Sequence, residues 1–304
     1  MVFFKKIDRD VWESWAWAAV GLFASTAALW ALVWMRLGWP SLKSLALIPW
    51  TGIMAMPIVV WGLIRSLLNP PVFRPSRTAG FVALTLVALS ANTPFFPVPL
   101  STDDWSAPEV YTLPVKGTWY TLSGGEELST NALANAPAMR YGHVMTVRKD
   151  GARFANDGKD LEDYYCYGEP IYAPAAGEVL SVHDGMKDNP PRVESQKGYQ
   201  GNHVVLKIAP DVYFFVFNLK AKSVRVKPGQ KVAQGDVLGA CGASGSASEP
   251  QVQFHFQNSP DFPLSEGLPV RYTYKKGQAL VEQGLPRGED IGAGADGELI
   301  TTLP

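Results

Sequence analysis

Cysteine, histidine and net charge are all in short supply in this chain. Among 304 residues there are two cysteines, Cys166 and Cys241, and four histidines. Two cysteines exclude a Cys-rich zinc module and leave either one bridge or two free thiols. The formal net charge is −1, and no Lys/Arg stripe interleaved with aromatics supplies a local positive field, so nucleic acid is not an expected partner. The acidic stretch holding Asp157, Asp160, Glu162 and Asp163 lacks the spacing of an EF-hand and reads as a solvated loop. Beyond residue 100 no long helical periodicity competes with short β-branched runs.

Charge is also missing locally, and there the absence is informative. Ser14 to Met35 carries no charged residue, and an apolar run of about 22 residues is long enough as a helix to cross a bilayer core of about 30 Å. It is too long for a cleaved signal peptide and no small-residue cleavage pattern follows, so a retained anchor is expected. Ser44 to Ile64 meets the same test despite Pro49 and Pro57, which a membrane helix tolerates. A third run starts at Thr78, stays apolar to about Ala91 and then meets Asn92, Pro94, Pro97 and Pro99. The expectation is a membrane anchor over residues 1–94 with three helices at about 14–35, 44–64 and 78–94. Lys5, Lys6 and Arg9 precede the first run, Arg36 and Lys43 follow it, and Arg65, Arg74 and Arg77 follow the second. That bias favours a cytoplasmic N-terminus and three crossings, which puts the rest of the chain outside the cytoplasm.

Tryptophan crowds these runs, at positions 12, 15, 17, 30, 34, 39, 50 and 61. An aromatic belt at the two interfaces accounts for residues near span ends; packing against other membrane subunits or a flat cofactor is the sharper alternative. Gly21, Ala24 and Ala28 would permit close helix approach. Membrane lipids and neighbouring subunits are the expected partners of this region.

From 95 to 115, proline with Ser, Thr and Asp reads as an extended linker. Beyond it lie Pro170 to Ala173, Gly177 to Val182, His203 to Ile208, Val212 to Leu219, Val224 to Val226, Val237 to Leu238 and Val252 to Phe256, an all-β pattern punctuated by Gly and Pro. The β-domain is expected over 116–270, and the polar, Gly-rich residues 271–304 as a tail.

Several of these runs carry a resemblance. Tyr167-Gly168-Glu169-Pro170-Ile171-Tyr172-Ala173-Pro174-Ala175-Ala176-Gly177-Glu178-Val179 resembles the entry strands of the lysostaphin-type, or LytM-like, peptidoglycan metalloendopeptidases. Gly201-Asn202-His203-Val204-Val205, the stretch Ser223 to Val232, Gly235-Asp236-Val237-Leu238-Gly239 and Gly242-Ala243-Ser244-Gly245 are similar to further family blocks, in the family's order. The resemblance implies a LytM-like β-sheet core of barrel-sandwich type in an extracytoplasmic domain. With the anchor, it implies a multi-pass protein of the bacterial inner (cytoplasmic) membrane whose C-terminal domain is periplasmic.

A peptidase of this family holds a tetrahedral Zn²⁺ with His and Asp and leaves one position for a water that the metal activates. Aligned on Glu249-Pro250, the family's His-x-His pair is replaced here by Gln251 and Gln253. The metal-binding Asp of an R-Y-x-x-D pattern falls on Val144, Arg140 stands four residues before it, and Asn131-Ala132-Leu133 upstream supplies no histidine. A further family histidine, in an H-L pair, is matched by Asn218 of Asn218-Leu219. Neutral amides, an aliphatic side chain and a guanidinium are poor zinc ligands, so neither catalytic residue, metal nor cofactor is expected. His255 shares the strand face of Gln251 and Gln253, whereas His143, His183 and His203 read as surface or hydrogen-bonded histidines. In this fold Cys166 and Cys241 approach the same end of the sheet, either bonded or as two buried thiols.

The resulting expectation is a catalytically inactive scaffold that contacts partner proteins in an inner-membrane complex through its Trp-rich helices and its β-domain. The alternatives are a regulator of cell-wall amidases or peptidoglycan-binding module, and an active zinc endopeptidase with a rearranged site.

Overall fold

The computed structural model describes residues 2–68, 75–91, 98–193, 198–262, 264–290 and 292–303. The chain divides into two units, Met1–Leu100 and Ser101–Pro304, as the change from uncharged runs to β-branched segments requires.

The first unit holds α1 (Val2–Trp34), α2 (Trp39–Leu68) and α3 (Pro75–Ser90). Arg36 and Gly38 adopt positive φ and end α1, while Ser41 Oγ accepts the Leu37 N–H and donates to the Leu32 carbonyl across the turn. The three helices pack on Trp15, whose indole N–H donates to the Ile58 carbonyl at 2.7 Å. Gly62 and Gly80 admit that ring, because a Cβ at either would overlap it. Three spans were expected from the sequence; among the described residues, one helix meets the length and hydropathy required, α2 at 30 residues. The apolar parts of α1 and α3, Ala18–Trp34 and Arg77–Ser90, are 10–17 residues long. Residues 92–94 of the third expected span lie outside the described residues.

Among the described residues, the second unit holds twelve strands. They are β1 (Thr118–Ser123), β2 (His143–Thr146), β3 (Pro170–Tyr172), β4 (Gly177–His183), β5 (Asn202–Ala209), β6 (Val212–Leu219), β7 (Lys231–Val232), β8 (Val237–Ala240), β9 (Val252–Gln257), β10 (Tyr272–Lys276), β11 (Ala279–Gly284) and β12 (Leu299–Thr302). Ten form one sheet in the order β11-β10-β12-β1-β2-β9-β6-β5-β4-β7, and β3 pairs with β8. The mostly-β class read from the sequence is the class found.

Period-two alternation decides both faces of the central strands. Phe214 and Val216 of β6 join Val204, Leu206, Phe254 and Phe256 in the main core, which Ile171 of β3 and Leu238 of β8 cover. Phe215 and Phe217 point the other way and pack with Leu133, Met139 and Val205. Burying one such aromatic contributes roughly 2–3 kcal/mol. Cys166 and Cys241, both fully buried, are joined by a disulfide beside the β3–β8 pair.

Three expectations need correction. Residues 101–115 are not a free tether: Tyr111, Leu113 and Val115 are buried in the main core, and Thr102 donates to the Gly267 carbonyl at 2.6 Å. The apolar residues between the prolines are what anchors them, while 95–97 fall outside the described residues. Residues 271–304 are not a tail either, since β10–β12 extend the sheet and bury Tyr272, Tyr274 and Ile300. Their apolar face alternates over only a few residues between Gly-rich connections, which masks the period. Finally, Val224–Val226 forms no strand.

Candidate functional site

Two of the residues matched to the family's metal site, Val144 and Gln253, meet on the second face of the sheet. Val144 on β2 is the register partner of Gln253 on β9, and Gln253 is in turn the partner of Phe217 on β6. The space between them is filled from two loops. Tyr199 Oη donates to Gln253 Oε1 at 3.3 Å, and Gln253 Nε2 donates to the Met139 sulfur at 3.2 Å. Met139 arrives on a 3-10 turn, Pro137–Met139, which packs with Leu133 and Phe217. Burial pushes the Tyr199 hydroxyl pKa up and the Gln253 hydrogen bond opposes that in part, so the phenol stays protonated.

The other matched positions point elsewhere. Arg140 is buried, with Nε donating to the Ala134 carbonyl at 3.3 Å and Nη1 paired with Asp103 at 3.4 Å. Tyr141 Oη donates to the same Asp103 carboxylate at 2.7 Å. Asn218 takes a positive φ of 62°, a conformation Asn tolerates, and its Nδ2 donates to the Ser244 carbonyl at 2.8 Å. Gln251 precedes β9, its N–H donating to the Gly242 carbonyl at 3.0 Å. The structure therefore brings Val144 and Gln253 together and gives Arg140, Asn218 and Gln251 hydrogen-bonding work within loops and strand ends. An amide, a phenol, a thioether and an isopropyl group do not match a tetrahedral zinc site, which calls for imidazole, thiolate or carboxylate. Among the described residues, no group of three or more His, Cys, Asp or Glu side chains is placed to hold a metal ion.

Each histidine has a definite setting. His255 is buried and stacks on Phe215 at 5.1 Å. Its Nε2–H donates to Gln257 Oε1 at 2.9 Å, and its Nδ1 is buried without a hydrogen-bond partner among the described residues. Burial lowers its pKa to about 4, against a smaller raising effect from Gln257. His143 faces the main core, stacked on Phe254 at 5.3 Å; neither ring nitrogen has a hydrogen-bond partner, and burial lowers its pKa to about 3. His183 and His203 are direct cross-strand partners on β4 and β5.

Tyr199 and Met139 are organisers that sequence reasoning missed, and Asn131, noted there only as part of a stretch without histidine, is a third. Asn131 Nδ2 donates to the carbonyls of Gly125 and Arg140, each at 2.8 Å, and its Oδ1 accepts from the Leu133 N–H at 2.9 Å. That ties the loop before β2 to the site. No motif marks these residues, because their roles depend on loops meeting across the sheet. Beside them opens a cavity of about 410 Å³ whose walls include Ser181, Gln200, His203, Phe215, Asp261 and Phe262.

Comparison with known proteins bears on this face. A family model of peptidase family M23 matches residues 155–265. A zinc-containing peptidase from Vibrio cholerae is 18% identical, with a TM-score of 0.32 covering 49% of this chain and 36% of that one. The catalytic domain of lysostaphin from Staphylococcus simulans is also 18% identical, with a TM-score of 0.31, 49% of this chain and 86% of that one. A chain of the SpoIIQ–SpoIIIAH pore-forming complex is 16% identical, with a TM-score of 0.35, 53% of this chain and 89% of that one. The chain spans 36% of the Vibrio peptidase and 40% of lysostaphin in its solution structure. No curated protein matches it. Residues 155–265 are a domain of peptidase family M23.

Proposed function

We propose that this chain is a membrane-anchored, catalytically inactive M23-fold protein that acts as a scaffold subunit of a complex in the bacterial inner membrane. The observation that carries the proposal is the filling of the would-be metal position by Gln253, Tyr199 and Met139 opposite Val144. A water-activating ion needs anionic or imidazole ligands there, and side chains that satisfy one another leave no open donor set.

The arrangement of α2 supports anchoring. Its buried side holds Ser41, Ser44, Thr51, Ala55 and Gly62, while Trp50, Ile53, Met54, Met56 and Leu67 face outward. Small residues inside and large apolar residues outside is the pattern of a helix packed in lipid. Lys43 Nζ lies 3.7 Å from the Trp39 ring and the Arg65 guanidinium 5.0 Å from the Trp61 ring. These pairs stand about 22 residues, or ~33 Å, apart along the helix, which suits the two interfaces of one bilayer. In this reading α1 and α3 pack beside α2 in a multi-pass bundle, the N-terminus is cytoplasmic and the β-domain is periplasmic. The Cys166–Cys241 disulfide supports that oxidising compartment. Isolation of the native protein in mild detergent tests the scaffold reading: stoichiometric co-purifying membrane subunits are expected, and recovery of the chain alone from the membrane would contradict it.

The open cavity beside the site favours a second reading, a regulator of cell-wall amidases or a peptidoglycan-binding module. A pull-down with peptidoglycan and with amidases separates the two, because a pure scaffold retains neither.

A further inference from the structure

Val144, Gln253 and Phe217 are successive register partners across the second face of the sheet, and His203 on β5 and His183 on β4 are partners beyond them, with a register shift between β6 and β5 at His203. Phe217 joins the two halves, its ring edge-on to His203 at 6.0 Å. Beyond Phe217 come two adjacent imidazoles, the nearer of them, His203, two strands or about 10 Å from Gln253 at ordinary strand spacing.

His183 and His203 lie directly opposite each other on antiparallel strands, with ring centroids 5.6 Å apart and planes 19° from parallel. Among the described residues, no carboxylate or hydroxyl is hydrogen-bonded to either ring. The second observation concerns the tautomer. His203 Nδ1 sits 2.9 Å from the Gly201 carbonyl oxygen, which can only accept, so Nδ1 carries the proton and Nε2 keeps its lone pair. A backbone carbonyl fixing one ring nitrogen while the other stays free is the usual outer-shell arrangement of a metal-ligating histidine. His203 also forms part of the cavity wall with Ser181, Gln200 and Asp261, so water or a partner's side chain has room to complete a coordination shell. Burial lowers the His203 pKa, the Gly201 hydrogen bond opposes this, and the charge of His183 adds to the lowering.

We propose that His183 and His203 form a two-imidazole chelate for a divalent transition ion of the imidazole-preferring kind, Cu²⁺, Ni²⁺ or Zn²⁺, at the edge of the groove cavity. Two protein ligands leave the remaining positions to water or to a partner, so the ion is held exchangeably. Binding here is independent of hydrolysis and of the function proposed above.

The test is titration of the untagged full chain in detergent with Cu²⁺, read by calorimetry and by electron paramagnetic resonance. One ion per chain is expected, with hyperfine structure from two ring nitrogens. His183→Ala, an exposed change that leaves the fold intact by near-ultraviolet dichroism, is expected to weaken binding about tenfold or more, and His203→Gln to do the same. His143→Phe, on the other face, is expected to leave it unchanged. Absence of Cu²⁺ binding by the wild type, or wild-type affinity in His183→Ala, would overturn the proposal.

Discussion

Gln253 and Tyr199, 54 positions apart in the chain, are hydrogen-bonded to each other on the second face of the sheet. The bond is a structural contact in this account, so its energy belongs to stability. A double-mutant cycle of Tyr199→Phe and Gln253→Leu is expected to give a coupling of about 1 kcal/mol in denaturant unfolding. Additive effects would mean that the two side chains do not depend on each other.

His143 gives a pH prediction. Its folded pKa, about 3, lies below the value of about 6.5 expected in the unfolded chain. The unfolded state therefore binds the extra proton first, and stability present above about pH 6.5 is lost as pH falls toward the folded pKa. His255, at about 4, acts in the same direction. His143→Phe keeps the ring packed on Phe254, removes two unpartnered nitrogens and is expected to raise the denaturation midpoint and flatten its slope between pH 7 and 5. An unchanged slope would exclude His143 as a source of the acid sensitivity.

The C-terminal strands are part of the sheet, so deleting 271–304 is expected to abolish soluble folding of the β-domain. β1 would lose its pairing with β12, and the main core would lose Tyr272, Tyr274 and Ile300. The milder change Ile300→Ala is expected to cost about 2–4 kcal/mol in urea unfolding. A deletion variant with native dichroism and an unchanged midpoint would show these strands to be dispensable.

The disulfide closes a sequence separation of 75 residues. By loop entropy it contributes about 4 kcal/mol. Cys166→Ser with Cys241→Ser is therefore expected to lower the melting temperature, and reduction of the wild type to produce the same loss. No shift in either experiment would show that the bond does not support the β-core.

What was legible in the sequence follows from how local each signal is. β4, β5, β6 and β9 were readable because β-branched and aromatic residues persist over six to eight positions between glycines. β10 and β12 were not, because each shows only one or two buried residues amid Lys and Thr. Tyr111, Leu113 and Val115 were read as linker because proline surrounds them, although a single strip of apolar side chains suffices to dock an extended segment. At the site, Val144 and Gln253 were marked by the resemblance to the family's motifs, and strand registry brings them together. Met139 and Tyr199 were invisible, because nothing local says that a 3-10 turn and the loop before β5 will meet over Gln253. In the membrane region a count of uncharged residues suggested three spans, and among the described residues α2 is the helix long and apolar enough to cross a membrane.

The most direct test of the central claim is hydrolysis. The purified full chain in detergent is incubated with a cross-linked cell-wall peptide and graded Zn²⁺, and the products are separated by mass. The account predicts no cleavage above the buffer rate at any zinc level, because Gln253, Val144, Tyr199 and Met139 offer no ligand set that activates water. Turnover that zinc restores after chelation, and that Gln253→Ala abolishes, would contradict it.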